Sequence, residues 1–470
     1  MSIIDALLAL GGVAFAVSVI ASGRIARRVA PVALPVLPAG CGAQWLLEGF
    51  YGQSVPTYVL IAAASGLVVA QAKWPGGPGV GRPRRVAMAL ARGGVGLLVV
   101  PAVFAWMVVP VPHLPRPTGP YTVGTEVFRW VDPDRPEEAT NSAEDRRNVV
   151  VQAWYPADPA ARGPSSEYLD GLDRLPSSVS MLPRFLMHGY DRIDTHAVRE
   201  APVSPERARW PVVLFSPGYG APRGFYTGLI ADLASRGFVV LAVDHPYEAA
   251  VTELADGTIA TPRQRFLDDD PDQFRYMAGQ LDVRAADLRF VVDQLARPGV
   301  LGPRLSGHLD TEHIAAVGHS FGGAAAAAAL AGDPRLRAAA NIDGTLYGTL
   351  PQRSLSKPFL LIESDHSETG HSDQFLNGNG ELLDRMTAPG YRYEIAEANH
   401  YSFTDAPRFL ADPARFLVAQ FIGGERGPRH TQRATNDILA AFLQEPLGAG
   451  PGDPDGAAAR HRDIHGGRVH

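Results

Sequence analysis

The sequence has very little cysteine and very little lysine. Of its 470 residues one is cysteine, Cys41, and only Lys73 and Lys357 are lysines among 43 basic residues. A single thiol excludes a disulfide within the chain and a metal site built from cysteines. The shortage of lysine is an arginine bias, which we attribute to coding composition rather than to function.

Charge is scarce at the start of the chain. Residues 1–113 hold eight basic residues and two acidic ones, Asp5 and Glu48, whereas the remainder holds 35 basic and 47 acidic residues. The acidic remainder argues against nucleic-acid binding, which requires a basic face. At this length more than one unit is expected, and the change in charge places the boundary near residue 115.

The first region contains four stretches without Asp, Glu, Lys or Arg, and roughly 20 such apolar residues span a bilayer. We predict a transmembrane region over 1–115 with three or four helices, with spans at about 4–23, 29–47, 54–72 and 93–112. The second stretch carries Pro31, Pro35 and Pro38, so a re-entrant or broken helix is its alternative.

The arginines predict the orientation of these spans. Arg24, Arg27 and Arg28 follow the first stretch, and a cluster from Lys73 to Arg92 separates the third from the fourth. Basic clusters favour the cytoplasmic side. We therefore predict a multi-pass protein of the cell membrane whose later residues are extracytoplasmic. The bilayer is then a partner, and no obligate protein partner is evident.

After residue 116, short β-rich runs alternate with helical patterns, which favours a mostly parallel sheet flanked by helices. The predicted strands are Thr122–Trp130, Val149–Tyr155, Trp210–Ser216, Val239–Asp244, His313–Val317, Ala338–Asp343, Phe359–Ser364 and Tyr391–Ala396. The predicted helices are Phe225–Arg236, Arg284–Leu295, Gly323–Ala331 and Pro407–Phe421. Eight strands are a full set for the α/β-hydrolase fold, predicted over 116–446. Residues 447–470 have almost no large apolar residues and are expected to be disordered.

The most informative motif is Gly-His-Ser-Phe-Gly-Gly at 318–323, directly after the apolar run 313–317. It has the G-x-S-x-G form of a nucleophile elbow, in which a sharp strand-to-helix turn exposes a serine hydroxyl. The alanine-rich run that comes next is a strong helix former. Strand, turn and helix are in the required order, so Ser320 is the predicted nucleophile.

A serine needs a histidine base and an acid that orients the histidine. In this fold the histidine follows the last strand, and His400 does so directly, whereas His366 and His371 precede that strand. Two aspartates end strands after the elbow, Asp343 and Asp365. Strand order alone does not favour Asp343.

The oxyanion hole requires two backbone N–H groups. One is predicted from Phe321, the residue after the nucleophile. The other is predicted from Tyr219, in the glycine-flanked turn that comes after the strand Trp210–Ser216.

Together these segments resemble the platelet-activating factor acetylhydrolase family (plasma-type, isoform II), in particular bacterial members with several N-terminal membrane spans. The stretches that carry the resemblance are 117–125, 151–156, 215–220, 233–238, 318–323 and 342–343. One departure is Pro217, where family members commonly have histidine. The resemblance implies that the acid lies one strand earlier than usual, which favours Asp343 and leaves Asp365 as the alternative.

The resemblance also implies a calcium-independent serine esterase that releases short acyl groups from ester lipids, with no cofactor. A general carboxylesterase or lipase without phospholipid preference is one alternative. A receptor or scaffold that keeps the fold without turnover is another.

Two further clusters have competing interpretations. The His and acidic residues at 365–373 suggest a metal site, but we expect a polar active-site loop and no metal. The apolar residues at 181–187 are expected in a core; as a hypothesis, they form a flap that contacts lipid.

Overall fold

The computed structural model describes residues 3–21, 23–73, 81–108, 111–171, 174, 190, 192–263, 272–410, 419 and 421–469. The chain divides into two compact units. The helical unit comprises Met1–Pro112 with the segments Met181–Ile193 and Phe409–Phe416, and the sheet unit comprises the rest. The apolar segment 181–187, for which a core or flap role is predicted, lies outside the described residues.

The described part of the helical unit contains four long helices, and each is long and apolar enough to cross a membrane. They are α1 (Ile3–Ala21), α2 (Gly23–Glu48), α3 (Val55–Lys73) and α4 (Arg82–Val108). Their core includes Phe15, Leu60 and Ala64, which are almost fully buried. α2 continues through its three prolines, so the proline-rich second stretch is helical along its length.

The sheet unit is built on a sheet that has ten strands in the described part of the chain. They are β1 (Thr122–Pro136), β2 (Arg146–Ala157), β3 (Ala197–Arg199), β4 (Trp210–Ser216), β5 (Val239–Asp244), β8 (Leu309–His319), β9 (Leu336–Ile342), β10 (Phe359–Ser364), β11 (Gly390–Ile395) and β12 (Ile464–Arg468). A small separate hairpin pairs β6 (Thr252–Glu253) with β7 (Ile259–Ala260).

The strand order is β12-β11-β10-β9-β8-β4-β5-β2-β1-β3. The six strands from β11 to β5 are parallel, whereas β2 and β12 join the two ends of this block antiparallel. All eight predicted strands belong to this sheet, and the predicted mostly parallel fold is confirmed.

Eight α-helices lie in the described part of the sheet unit, and the longer ones cover both faces of the sheet. They are α5 (Thr227–Ser235), α6 (Gln273–Leu295), α7 (Gly302–Leu305), α8 (Phe321–Gly332), α9 (His366–Thr369), α10 (Asp373–Asp384), α11 (Pro428–Gln444) and α12 (Pro454–Ala459). Alternate residues of β4 pack into two cores: Val212 and Leu214 face α6 and α8, while Val213 and Phe215 face α5 and α11. A strand buried on both faces has a continuous apolar sequence, as β4 does.

The end of the chain differs from the prediction. Residues 447–470 were expected to be disordered, but they form α12 and β12, and β12 pairs antiparallel with β11. The tail is held by backbone hydrogen bonds at the sheet edge and by small side chains, Ala457 and Ala458, that are buried in the core. Neither source of stability requires large apolar residues, which is why composition was misleading.

The region after the last predicted strand also differs. The predicted helix Pro407–Phe421 is a short 3₁₀ turn at Ala406–Phe409, and most of the residues from 411 to 420 lie outside the described part of the chain. The helix that packs on the sheet is α11, which was not predicted, and it buries Ile438, Leu439 and Phe442.

Candidate active site

Ser320 lies in a sharp turn between β8 and α8. Its φ of 56° and ψ of −127° are sparsely populated for a residue with a side chain, at a cost of about 1–3 kcal/mol. A hydrogen bond of 2.7 Å from the Ser320 N–H to the Ile342 carbonyl holds the turn.

The glycines of the motif allow this turn to pack. A Cβ on Gly318 would lie 2.1 Å from the Gly322 carbonyl oxygen, and one on Gly322 would lie 1.9 Å from the Ser216 carbonyl oxygen. Both distances are impossible for a side chain, so the turn requires glycine at both positions.

His400 bridges Ser320 and Asp343. Its Nε2 lies 3.0 Å from Ser320 Oγ, and its Nδ1 lies 2.7 Å from Asp343 Oδ2. Because a carboxylate accepts only, Nδ1 donates to Asp343 and Nε2 is left to accept the serine proton. The imidazole is partly exposed, whereas Asp343 is buried.

A local structure positions the histidine. His400 begins a 3₁₀ turn, His400–Phe403, which is capped by Asn399 and Ser402 through reciprocal side-chain-to-backbone hydrogen bonds. The capping residues satisfy the backbone donors at the start of the turn and so fix the place where it begins.

A cavity of about 650 Å³ opens at these side chains. Ser320, His400 and both predicted oxyanion residues, Tyr219 and Phe321, line it. Its other walls are largely apolar or aromatic, and they include Phe225, Met277, Tyr347, Phe375 and Tyr401. The arrangement can place an uncharged group against the serine.

The sequence matches the profile of the family described as platelet-activating factor acetylhydrolase, isoform II, over residues 108–265 and 302–450, which is more than half of the chain. The chain belongs to this family.

Curated relatives agree with this assignment. A probable 1-alkyl-2-acetylglycerophosphocholine esterase of Arthroderma benhamiae is 26% identical over 63% of this chain and 77% of its own length. A platelet-activating factor acetylhydrolase of Cavia porcellus is 25% identical over 71% of this chain and 78% of its own length.

Among solved structures, a ferulic acid esterase from Streptomyces cinnamoneus superposes with a TM-score of 0.64 at 29% identity. The match covers 76% of this chain and 99% of that chain. The fold is thus that of an α/β-hydrolase, and the protein is an ester hydrolase of this family.

The structure separates the two candidate acids. Asp343 contacts His400, whereas Asp365 accepts from the Ser367 N–H at 2.8 Å and from the Glu397 N–H at 2.9 Å. Asp365 therefore caps the short helix α9 and does not reach His400.

Sequence reasoning missed a second histidine on the acid. His371 Nε2 lies 2.9 Å from Asp343 Oδ1, and the Ser364 N–H donates to the same oxygen at 2.7 Å. Burial alone would raise the pKa of Asp343, but the hydrogen bonds from His371 and His400 outweigh it and hold that pKa well below its usual range. The concentration of polar residues at 365–373 was the available signal.

His319, the residue before the nucleophile, was also missed. Its Nδ1 lies 2.8 Å from the Tyr226 hydroxyl, and its Nε2 lies 2.9 Å from the His400 carbonyl. Burial and the neighbouring His400 lower the pKa of His319 to about 3, so this imidazole is neutral. His319 therefore fixes the position of the His400 backbone, and we assign it no part in proton transfer.

Within the described ranges, no group of three or more His, Cys, Asp or Glu side chains is arranged to hold a metal ion. That the reaction needs no metal and no cofactor stays a prediction.

Proposed function

We propose that the chain is a membrane-anchored serine esterase that hydrolyses short-acyl ester bonds of phospholipids and related lipids. The observation that carries the proposal is the His400 imidazole between Ser320 Oγ, at 3.0 Å, and Asp343, at 2.7 Å. In the proposed reaction Ser320 is the nucleophile, His400 is the base and Asp343 is the orienting acid.

The first half of the reaction forms an acyl-enzyme. Ser320 Oγ attacks the ester carbonyl carbon while His400 Nε2 takes the hydroxyl proton. The amides of Tyr219 and Phe321 stabilise the negative oxygen of the tetrahedral intermediate. His400 then gives the proton to the leaving alcohol oxygen, and the acyl group stays on Ser320.

In the second half, water replaces the alcohol. His400 takes a proton from the water, whose oxygen attacks the acyl carbon, and then returns that proton to Ser320 Oγ as the acid leaves. Asp343 keeps the Nδ1–H tautomer throughout and stabilises the imidazolium.

The direct test is active-site labelling of the purified full chain. A fluorophosphonate probe should label the wild type and fail to label Ser320→Ala. Ser372 is the matched control, because it lines the same cavity and its hydroxyl caps α10. Ser372→Ala should label normally; an unlabelled wild type would favour the scaffold alternative.

The aromatic wall of the cavity supports a second candidate, a general carboxylesterase. Tyr219 and Phe321 have ring centroids 5.9 Å apart, and Phe321 and Tyr347 have centroids 5.6 Å apart. Such a wall also suits an aromatic acyl group, as in the substrate named for the ferulic acid esterase neighbour.

A substrate panel distinguishes the two candidates. It pairs 2-acetyl and 2-palmitoyl glycerophospholipids with acetyl, butyryl and feruloyl esters of p-nitrophenol. The first proposal predicts the highest kcat/KM with the 2-acetyl phospholipid. Equal or higher values with the feruloyl ester would favour the second.

The membrane anchor is supported by the four apolar helices and by the arginine clusters beside them. We infer a multi-pass protein of the cell membrane whose sheet unit is extracytoplasmic. After Cys41→Ser removes the single thiol, an impermeant maleimide applied to intact cells should label Ser354→Cys, which is exposed in the sheet unit. Gly81→Cys, beside the second arginine cluster, should label only after lysis. The reverse pattern would contradict the orientation.

A further inference from the structure

A second group of polar side chains lies behind the Tyr219 loop and has no part in the proposed reaction. We call Ser216, His245, Glu248, Arg284 and Asp287 the buried cluster, because each is at most 6% exposed. Burying several charges is costly unless each is paired, so a cluster of this kind requires a reason.

Hydrogen bonds connect four members of the cluster in a chain that runs from Arg284 through Ser216 and His245 to Asp287. Arg284 donates to Ser216 Oγ at 3.1 Å, and Ser216 Oγ lies 2.9 Å from His245 Nε2. His245 Nδ1 lies 2.8 Å from Asp287 Oδ2, which also accepts from Arg147. Glu248 accepts from Arg284 and balances its charge.

Arg284 also holds the backbone of the loop. Its guanidinium donates to the Pro217 carbonyl at 2.5 Å and to the Gly218 carbonyl at 3.2 Å. On the opposite side, the Gly218 N–H donates to the Tyr226 hydroxyl at 2.9 Å. The peptide between Pro217 and Gly218 is therefore held at both its oxygen and its hydrogen.

The next peptide contains the predicted oxyanion donor. In a trans peptide the C=O and N–H groups point in opposite directions. Because Arg284 holds the Gly218 carbonyl, the Tyr219 N–H is turned to the other side. Gly218 itself adjoins the nucleophile, since a Cβ placed on it would lie 3.3 Å from Ser320 Cβ.

The loop needs such support because glycines flank the donor. Gly218 and Gly220 have no side chains to oppose rotation of the peptide, and Gly220 already has a positive φ of 73°. Arg284 also lies over the ring of Phe321, 4.8 Å from its centroid. One side chain therefore contacts the peptide group that carries the Tyr219 N–H, through the Gly218 carbonyl, and the side chain of Phe321.

We propose that Arg284, held by the buried cluster, is a positioning residue that keeps the Tyr219 amide directed at the oxyanion. This inference rests on the proposed function. Arg284 is buried and is not among the residues that line the cavity, so we infer that it acts through the two loop carbonyls.

The test compares a tetrahedral analogue with the substrate. Ser320 Oγ adds to the carbonyl carbon of a trifluoromethyl ketone and forms a hemiketal, while the serine proton passes to His400. The former carbonyl oxygen then carries the negative charge and occupies the oxyanion hole. In the full chain, Arg284→Met combined with Glu248→Gln removes the clamp without leaving a lone buried carboxylate. We expect kcat/KM and the affinity for the ketone to fall together by about 10²–10³, with KM within roughly threefold of wild type.

A conservative variant sharpens the test. Arg284→Lys keeps the positive charge, but its single ammonium cannot match the two-pronged geometry of the guanidinium. It should recover part of the ketone affinity. If the double variant fails to fold, Arg284→Lys alone decides the matter, and wild-type affinity for the ketone would overturn the proposal.

Arg289→Met is the matched control, because Arg289 is exposed on the same helix, and it should behave as wild type. Unchanged ketone affinity in a folded double variant overturns the proposal, as does a rise in KM that equals the loss of ketone affinity. Turnover that survives Ser320→Ala would instead refute the proposed function itself.

Discussion

Two serine–histidine–aspartate chains lie among the described residues of the sheet unit, and their hydrogen-bond lengths are nearly the same. In Ser320–His400–Asp343 they are 3.0 and 2.7 Å, and in Ser216–His245–Asp287 they are 2.9 and 2.8 Å. The side chain of His400 is 31% exposed, whereas that of His245 is 2% exposed. Of the two serines, Ser320 is the one that lines the 650 Å³ cavity, so hydrogen-bond geometry alone does not identify a reactive serine.

The two aspartates also differ in their partners. Asp343 accepts from Ser364, His371 and His400, while Asp287 is paired with the arginine side chains of Arg147 and Arg135. Burial alone would raise the pKa of each aspartate, but the partners of each outweigh burial and hold its pKa below the usual range. Asp287 pairs with two arginines, whereas Asp343 contacts two imidazoles, one of which, His400, changes charge in the proposed reaction.

The largest expected difference is between the two serines. Ser320→Ala should lower kcat by about 10⁴–10⁶, because the nucleophile is lost. Ser216→Ala removes a buried hydroxyl and should cost about 1–3 kcal/mol of unfolding free energy, with kcat lowered by about tenfold at most. Steady-state kinetics and thermal unfolding of both variants measure these effects. An active Ser320→Ala beside an inactive Ser216→Ala would reverse the assignment.

The aspartates should separate activity from stability. Asp343→Asn should lower kcat by about 10⁴, since the amide favours the wrong imidazole tautomer. Asp287→Asn removes one of the two carboxylates that pair with the buried Arg147 and should cost about 3–5 kcal/mol of stability. The readouts are kcat and the thermal midpoint. Asp365→Asn serves as the control, and a loss of kcat there comparable with Asp343→Asn would restore Asp365 as the acid.

A smaller effect is expected at His371, the second imidazole on Asp343. His371→Gln weakens, without removing, one hydrogen bond to the buried carboxylate and should lower kcat by about tenfold, or about 1.4 kcal/mol. This is slightly less than the roughly 1.5–3 kcal/mol of a complete hydrogen bond to a charged group. KM should change little. His366→Gln, at an exposed neighbour, is the control for loop effects. Equal kinetics for the two variants would show that His371 does not support the acid.

The smallest effect is a pH dependence of stability. Burial and Arg284 lower the pKa of His245, so the unfolded chain, with an ordinary pKa of about 6.5, binds the proton more tightly. Stability is therefore lost as pH falls through about 6.5, by up to about 1.4 kcal/mol per pH unit and group. His319, whose pKa burial and His400 lower to about 3, acts in the same direction.

Thermal midpoints across this range measure the effect. His245→Gln should show a shallower fall than wild type between about pH 6.5 and about pH 5. His366→Gln, at an exposed site, should behave as the wild type does. Parallel curves for wild type and His245→Gln would mean that His245 is not held neutral by burial.

Local sequence predicted the parts of the site that depend on chain neighbours. The glycines around Ser320 determine the elbow, because their backbone contacts leave no room for a Cβ. The predicted bounds of β4, β5 and β10 match the structure residue for residue, since buried parallel strands are continuous apolar runs.

Prediction failed where stability comes from distant parts of the chain. β12 was missed because an edge strand can be held by its backbone, which leaves no mark on composition. The contacts behind the proposed role of Arg284 could not be predicted either. In the sequence Arg284 is the first residue of a predicted helix, and only packing brings it to Pro217 and Gly218.

By itself, the amino-acid sequence determined the turn at Ser320, the parallel strands and the apolar character of the N-terminal helices, because each depends on residues close together in the chain. The tertiary structure alone decided which aspartate meets His400, since Asp343 and Asp365 end adjacent parallel strands and only one is oriented to the imidazole. It also decided which of two serine–histidine–aspartate chains is open to solvent. The burial of a side chain depends on all the residues packed around it, many of them distant in the sequence, so a local sequence pattern does not predict it.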